Sequence, residues 1–294
     1  MKRSFQYIKK SAAAFITAAI MLCGCGAKPE AQTVRSEDAP AVSSSAETSA
    51  PQETEPVTET EALPEETEEL YPKGENIVRT AEELAGKKVI ALTFDDGPNT
   101  AVTCGILDLL EEYGIKASFF VIGQNINEES AVSMQRAHAM GCEINSHSFT
   151  HSYMDKMTEE EIKDEMKRTD DLIYEYVGEH AKFFRPPYIA VNKTMYESID
   201  LPFISGIGCN DWDSKVSVEK RVRFLTMKCP EGSIILLHDQ EDNTGTLEAL
   251  KQAIPMMLED GFEFVTVSEL FVAKGITPSA DKEIIYSYAT ESGQ

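Results

Sequence analysis

From about Tyr71 onward the chain repeats one pattern, a short apolar run followed by an amphipathic stretch of helical period. The runs fall at 89–94, 117–123, 142–145, 183–185, 202–207, 233–237 and 262–267. Between them, Thr158-Glu159-Glu160-Glu161 has the form of a capping box, and Ile162, Met166, Thr169, Ile173 and Tyr176 follow at steps of four and three. A later helix carries Leu247, Leu250, Ile254 and Met257 on one face. Gly141 and Gly261 stand where helices need a left-handed C-terminal residue. Strands alternating with helices predict an α/β fold with a mainly parallel sheet, open or closed into a barrel. In either form the chemistry belongs at the C-terminal ends of the strands.

What precedes this region has a different texture. Lys2, Arg3, Lys9 and Lys10 lead into an apolar run, 11–22, that is too short to span a bilayer. The run stops at Leu22-Cys23-Gly24-Cys25, which resembles the lipobox of bacterial lipoproteins. That resemblance implies a signal peptide over 1–24, lipidation of Cys25, and an extracytoplasmic protein anchored to the membrane by lipid. An ordinary secretory signal and a short anchor helix are the alternatives. Residues 25–70 are rich in Ser, Thr, Glu, Pro and Ala, with no aromatic residue, Ile or Met. Such a segment buries too little apolar surface to offset chain entropy and reads as a disordered acidic tether. Residues 71–294 form the expected catalytic domain.

Of the formal charge of −23, residues 71–294 hold −17. Nucleic acid demands the opposite sign and is a poor partner; a cationic or uncharged partner is expected, and a sugar polymer suits such a domain. The later cysteines, Cys104, Cys142, Cys209 and Cys229, are irregularly spaced and contain no C-x-x-C pair, so buried thiols are expected. Nothing in the pattern calls for more than a monomer.

Five polar signals coincide with strand ends. Thr93-Phe94-Asp95-Asp96-Gly97-Pro98 closes the first run with two adjacent carboxylates, which repel unless a cation or proton relieves them. His147-Ser148-Phe149-Thr150-His151 follows the third, and histidines at i and i+4 on one face of a helical turn suit a single metal ion. Arg185-Pro186-Pro187-Tyr188 ends the fourth, with an Arg able to hold a carboxylate and a Tyr188 amide able to face a substrate oxygen. Asn210-Asp211-Trp212 follows the fifth and contains the sole tryptophan, an aromatic face for a sugar ring. In the sixth, alternation sets Leu236 and His238 on one face. Each segment alone also has a bland reading as a turn or a core residue.

Together the five segments resemble the polysaccharide deacetylase family, the NodB-homology domain of carbohydrate esterase family 4, over about residues 85–275. The resemblance implies a distorted (β/α) barrel of about seven parallel strands. It implies that Asp96, His147 and His151 bind a divalent metal, zinc or alternatively cobalt or another divalent ion. Asp95 would then be the general base, oriented by Arg185, and His238 the general acid, tuned by Asp211. Tyr188, Trp212 and Leu236 would contact the substrate, an acetylated glycan, with N-acetylglucosamine in peptidoglycan as the leading expectation. An O-acetyl carbohydrate esterase and a non-catalytic glycan-binding lipoprotein are the alternatives. The chain departs from the family pattern at Ile189, where glycine is frequent, and at Gly208, where an aspartate is usual.

Overall fold

The computed structural model describes residues 70–280 and 283–294. The expected signal segment 1–24, Cys25 and nearly all of the 25–70 tether lie outside the described residues. In chain order the elements are α1 (Ala81–Leu84), β1 (Lys88–Asp95), α2 (Val102–Tyr113), β2 (Ser118–Val121), α3 (Glu128–Ala139), β3 (Glu143–Ser146), α4 (Glu159–Val177), α5 (Lys193–Ser198), β4 (Phe203–Ile204), α6 (Val218–Lys228), β5 (Ile234–His238), α7 (Thr244–Glu259), β6 (Phe262–Phe264), α8 (Val267–Lys274) and β7 (Ile285–Tyr286).

The sheet is parallel throughout its ladders. β3, β2, β1 and β5 lie side by side, β6 pairs with the first half of β1, and β4 pairs with β7. Parallel single bridges at Ser146–Phe184, Phe184–Phe203 and Ile207–Ile235 then carry the neighbour relations from β3 through β4 back to β5. The apolar run 183–185 therefore contributes a bridge and not a strand. Pro186 and Pro187 follow it without backbone donors, so a ladder cannot continue. The run 262–267 divides: β6 takes its start, and Thr266 caps α8. β7 was not expected, because two residues are too few to show alternation.

Alternation along β1 sorts the core into two layers. Ile90, Leu92 and Phe94 pack outward with Leu107 and Leu110 of α2 and Ile254 of α7. Val89 and Ala91 join Phe120, Ile204 and Ile234 in the second cluster. Side chains two apart share a face, so that second face of β1 ends in Asp95. On β5 it continues from Ile234 through Leu236 to His238. Position by position, the pleat directs the two titratable groups to the same side.

The left-handed residues expected at helix ends are there, Gly141 at φ 80° and Gly261 at φ 82°. α4 opens with the Thr158–Glu161 capping box and buries Ile162, Thr169 and Ile173. Residues 74–80 cross the N-terminal ends of the strands. Asn76 donates to the carbonyls of His138 and Cys142, and Arg79 pairs with Glu263 and Glu269. No helix among the described residues is long and apolar enough to cross a membrane. Cys142, Cys209 and Cys229 are buried free thiols and Cys104 is half-buried.

Candidate active site

The turn after β1 is shaped by close approach. Asp96 adopts φ 80°, and the chain then passes so near Asp239 that a Cβ on Gly97 would lie 2.5 Å from its carboxylate. Asp239 backs this turn by three bonds. Its N–H donates to the Asp95 carbonyl at 2.9 Å, its carboxylate accepts from Thr103 Oγ1 at 2.5 Å, and its carbonyl accepts from Asn99 at 2.6 Å. Burial, reinforced by the negative charges of Asp96 and Asp95 and opposed by the Thr103 bond, pushes the Asp239 carboxyl up to about 7.

The segment between the two histidines is not the helical turn that their spacing suggested. Ser148 and His151 have φ values of 69° and 57°, and the backbone loops outward between them. Glu165 of α4 holds that loop: its carboxylate accepts from the Phe149 N–H, the Thr150 N–H and Thr150 Oγ1, each at 2.8 Å. Ser148 Oγ accepts from the His151 N–H at 3.0 Å. The imidazole rings end 4.9 Å apart by their centroids.

Arg185 is fully buried. Its guanidinium donates to Asp95 Oδ1 at 2.5 Å and to the Ser205 carbonyl, and stacks 4.0 Å over Phe120. Burial opposes the charge of Asp95, yet Arg185, with His147 and His238 beyond, holds its carboxyl below the usual range. After the two prolines, Tyr188 and Ile189 take φ values of 59° and 55°. Such values cost a β-branched residue energy. Tyr188 turns outward, stacked on Tyr153 at 4.0 Å and beside His151 at 4.7 Å.

Asp211 is buried beside β5. One oxygen lies 2.9 Å from His238 Nδ1, and the other accepts from the His238 N–H at 2.9 Å and from Thr246 Oγ1 at 2.7 Å. Thr246 and the α7 cap Asn243 are in turn held by the buried Arg221. Burial would neutralise the His238 ring, but the Asp211 bond and the charges of Asp95 and Asp211 win, pushing it up to about 9.

A cavity of about 580 Å³ brings these groups together. Asp95, Asp96, His147, His151, Tyr188, Trp212, Leu236 and His238 all line it; Arg185 and Asp211 stand behind Asp95 and His238. Donor atoms of Asp96, His147 and His151 lie within 4.8 Å of one another. Asp96 Oδ1 is a buried acceptor with no hydrogen-bond partner among the described residues, 3.6 Å from His147 Nε2 and 3.4 Å from His151 Nε2. His147 Nδ1 lies 2.7 Å from the Arg185 carbonyl, which fixes the proton there and leaves Nε2 as a lone pair. An orphaned carboxylate oxygen between two imidazoles fits a divalent cation.

The sequence pattern described as polysaccharide deacetylase matches residues 83–201. The "Xyl-CE4 domain of a multidomain xylanase" from a Trinervitermes trinervoides hindgut metagenome superposes at a TM-score of 0.68 with 49% identity, over 71% of this chain and 100% of that one. The chain belongs to the polysaccharide deacetylase family. A family 4 acetyl xylan esterase from Clostridium thermocellum, solved with a cobalt ion, gives 0.66 at 37% identity, over 68% of this chain and 98% of that one. Among curated proteins, a bifunctional xylanase/deacetylase of Pseudobutyrivibrio xylanivorans is 48% identical over 198 residues, 67% of this chain and 33% of that protein. A peptidoglycan-N-acetylglucosamine deacetylase, PgdA, of Listeria monocytogenes is 34% identical over 190 residues, 64% of this chain and 40% of the other. The chain thus matches well under half the length of these two relatives.

Within this polysaccharide deacetylase domain, sequence reasoning missed Glu165, Asp239 and Tyr153. Glu165 was legible in principle, as a carboxylate three residues after Ile162 and four before Thr169, on the apolar face of α4. Asp239 adjoins His238 and carried no separate signal. Tyr153 depends on a stack that only the fold forms. Gly208 is explained by contact: a Cβ there would lie 2.9 Å from the Leu236 carbonyl. An aspartate at 208 therefore requires β5 to shift.

Proposed function

We propose that the protein is a metal-dependent hydrolase that removes N-acetyl groups from N-acetylglucosamine units of a polysaccharide, peptidoglycan foremost. The observation that carries this is one cavity with opposed proton-transfer groups: Asp95 kept ionised by Arg185, and His238 kept protonated by Asp211. Asp96, His147 and His151 would hold the divalent cation, zinc or cobalt, which when bound supplies Lewis acidity towards a carbonyl oxygen and towards water. Asp95 takes a proton from the attacking water, and Arg185 fixes which oxygen does so. His238 returns a proton to the departing nitrogen. An amide requires that step, because an unprotonated nitrogen is a very poor leaving group. Trp212 and Leu236 wall the acetyl group, and the Tyr188 N–H is the candidate donor to the developing oxyanion.

A second reading, O-acetyl ester cleavage on xylan, is favoured by the two relatives at 48% and 49% identity, both named for xylanases. Peptidoglycan is supported by the Listeria relative's name. Acetate release by the full chain from N-acetylglucosamine oligomers, purified peptidoglycan and acetylated xylan decides between them. The proposal requires release that depends on added metal, exposes new amines and disappears in Asp95→Asn. Acetate from xylan alone would transfer the assignment to an esterase.

We further propose that the protein is exported, acts as a monomer, and is held at the outer face of the membrane by lipid on Cys25. Mass spectrometry of the N-terminal peptide tests the lipid. An unmodified Cys25, or processing elsewhere, would reject that part.

A further inference from the structure

Arg221 of α6 is only 3% exposed, yet it takes no part in the proposed chemistry. Its hydrogen bonds among the described residues all go to neutral oxygens. Nη1 donates to Asn243 Oδ1 at 2.8 Å and to Thr246 Oγ1 at 3.1 Å, and Nη2 donates to the Asp213 carbonyl at 3.3 Å. A buried charge is costly unless an opposite charge compensates it. Both side-chain partners lead to one. Thr246 Oγ1 donates to Asp211 Oδ2 at 2.7 Å, and Asn243 Nδ2 reaches the same oxygen at 3.3 Å and the His238 carbonyl at 2.8 Å.

The bonds have a fixed direction. A guanidinium only donates, whereas a hydroxyl and an amide do both. Thr246 Oγ1 must therefore accept from Arg221, which sends its single proton to Asp211. The Asn243 oxygen is likewise held by Arg221, which turns its NH₂ to the same carboxylate. With the His238 N–H at 2.9 Å, Asp211 Oδ2 collects three donors, and Oδ1 is left for His238 Nδ1 at 2.9 Å. The start of α7 departs from local helix rules at this point. Asn243 stands at the N-cap but makes no side-chain cap bond, although capping is the usual use of Asn there. Gly245, a poor helix former, sits in the first turn, where a Cβ would lie 2.5 Å from Arg221 Nη1. Departures of this kind concentrate at functional sites.

We propose that Arg221 is a positioning residue for the proton donor: through Thr246 and Asn243 it fixes the orientation of the Asp211 carboxylate that holds His238, and it supplies that carboxylate's buried counter-charge. This rests on the reading of His238 as general acid and adds the group that orients its partner. Arg221 touches neither cavity nor substrate, so its effect reaches the reaction only by way of Asp211.

The test uses the full chain, with acetate release from N-acetylglucosamine oligomers as one readout and proton NMR of the His238 Nδ1–H as the other. Arg221→Met should lower kcat about tenfold, the size of one or two hydrogen bonds to a charged group, with KM within about twofold. Thr246→Val, which leaves the guanidinium in place and serves if Arg221→Met does not fold, should lower kcat in the same way, and Thr246→Ser should restore it. In an Asp211→Asn background either substitution should cost less than about twofold more, because residues acting as one unit are not additive. Equal losses in both backgrounds would make Arg221 and Thr246 merely structural and overturn the proposal. The Nδ1 proton, identified by its absence in His238→Gln, should give a sharp downfield resonance that broadens in Arg221→Met and Thr246→Val. A resonance unchanged in both variants also overturns the proposal. A resonance that responds as expected in a chain releasing no acetate from any glycan would instead reject the deacetylase reading and leave the positioning role standing.

Discussion

Asp95 and His238 face one cavity with opposite protonation needs, and each is set by a single buried partner. Arg185 keeps Asp95 ionised; Asp211 keeps His238 charged, with a value of about 9 against 6.5 for a free imidazole. A raised value means the folded protein holds the proton more tightly than the unfolded chain. The stabilisation from this pair is therefore complete below pH 6.5 and fades as pH rises through about 9. The same ionisation would remove the proposed proton donor, so the rate should fall on the alkaline side with that apparent value. Asp211→Asn should move the alkaline limb towards neutral pH and reduce turnover by about a hundredfold. A pH–rate profile of both proteins checks this; an unmoved limb would mean another group titrates there.

At the scale of elements, α4 positions the candidate metal loop as much as β3 does. Glu165 takes three hydrogen bonds from the span between His147 and His151. In Glu165→Ala two backbone donors lose their partner, each costing about 1–3 kcal/mol if it stays buried. Affinity for a divalent ion should drop roughly tenfold or more, as for other outer-shell supports of metal ligands. Calorimetric titration with zinc, alongside a melting curve, separates this from general unfolding. The Pro187–Ile189 turn shows the opposite case, an element that holds strain. Ile189 at φ 55° lines the catalytic cavity. Ile189→Gly should relieve backbone strain of about 1–2 kcal/mol while opening the cavity wall. Substrate preference is expected to change and metal affinity to stay within about twofold, to be read from kcat/KM on two glycans and from the zinc titration. A large shift in metal affinity would show that the turn supports the ligands.

Across the whole molecule, catalytic and stabilising polar networks occupy opposite ends of the strands. At the N-terminal end the nearly inaccessible Glu269 carboxylate joins Arg79 at 2.9 Å and Lys116 at 3.0 Å, tying residues 74–80 to α8 and to the segment that leads into β2. The two cations remain 26% and 28% exposed, so loss of this junction is put at about 2 kcal/mol, below the figure for a fully buried pair. Its carboxyl lies below the usual range, through Arg79 and Lys116 acting against burial. That contribution is present above pH 4.5 and is lost as pH falls further. Glu269→Gln should lower the melting temperature at pH 7 by several degrees, with a smaller effect at low pH, and leave kcat unchanged. A fall in kcat matching the fall in stability would argue against separate ends.

The sequence by itself determined the alternating α/β plan, the capping of α4, and which five segments meet at the strand ends. Periodicity and capping are local, and the pleat then fixes the face on which Asp95, Leu236 and His238 emerge. What it left open needed the third dimension. Arg185 meets Asp95 across 90 residues of chain, and Asp211 meets His238 only because β5 packs beside the 207–211 segment. The histidine spacing suggested a helical turn, whereas Glu165 and two left-handed residues built a loop. The run 183–185 looked like a strand until the prolines after it met the sheet, and β7 was too short to leave a pattern. Hydrogen-bond partners far apart in sequence leave no periodic trace, so the tertiary structure alone decided how the residues are held.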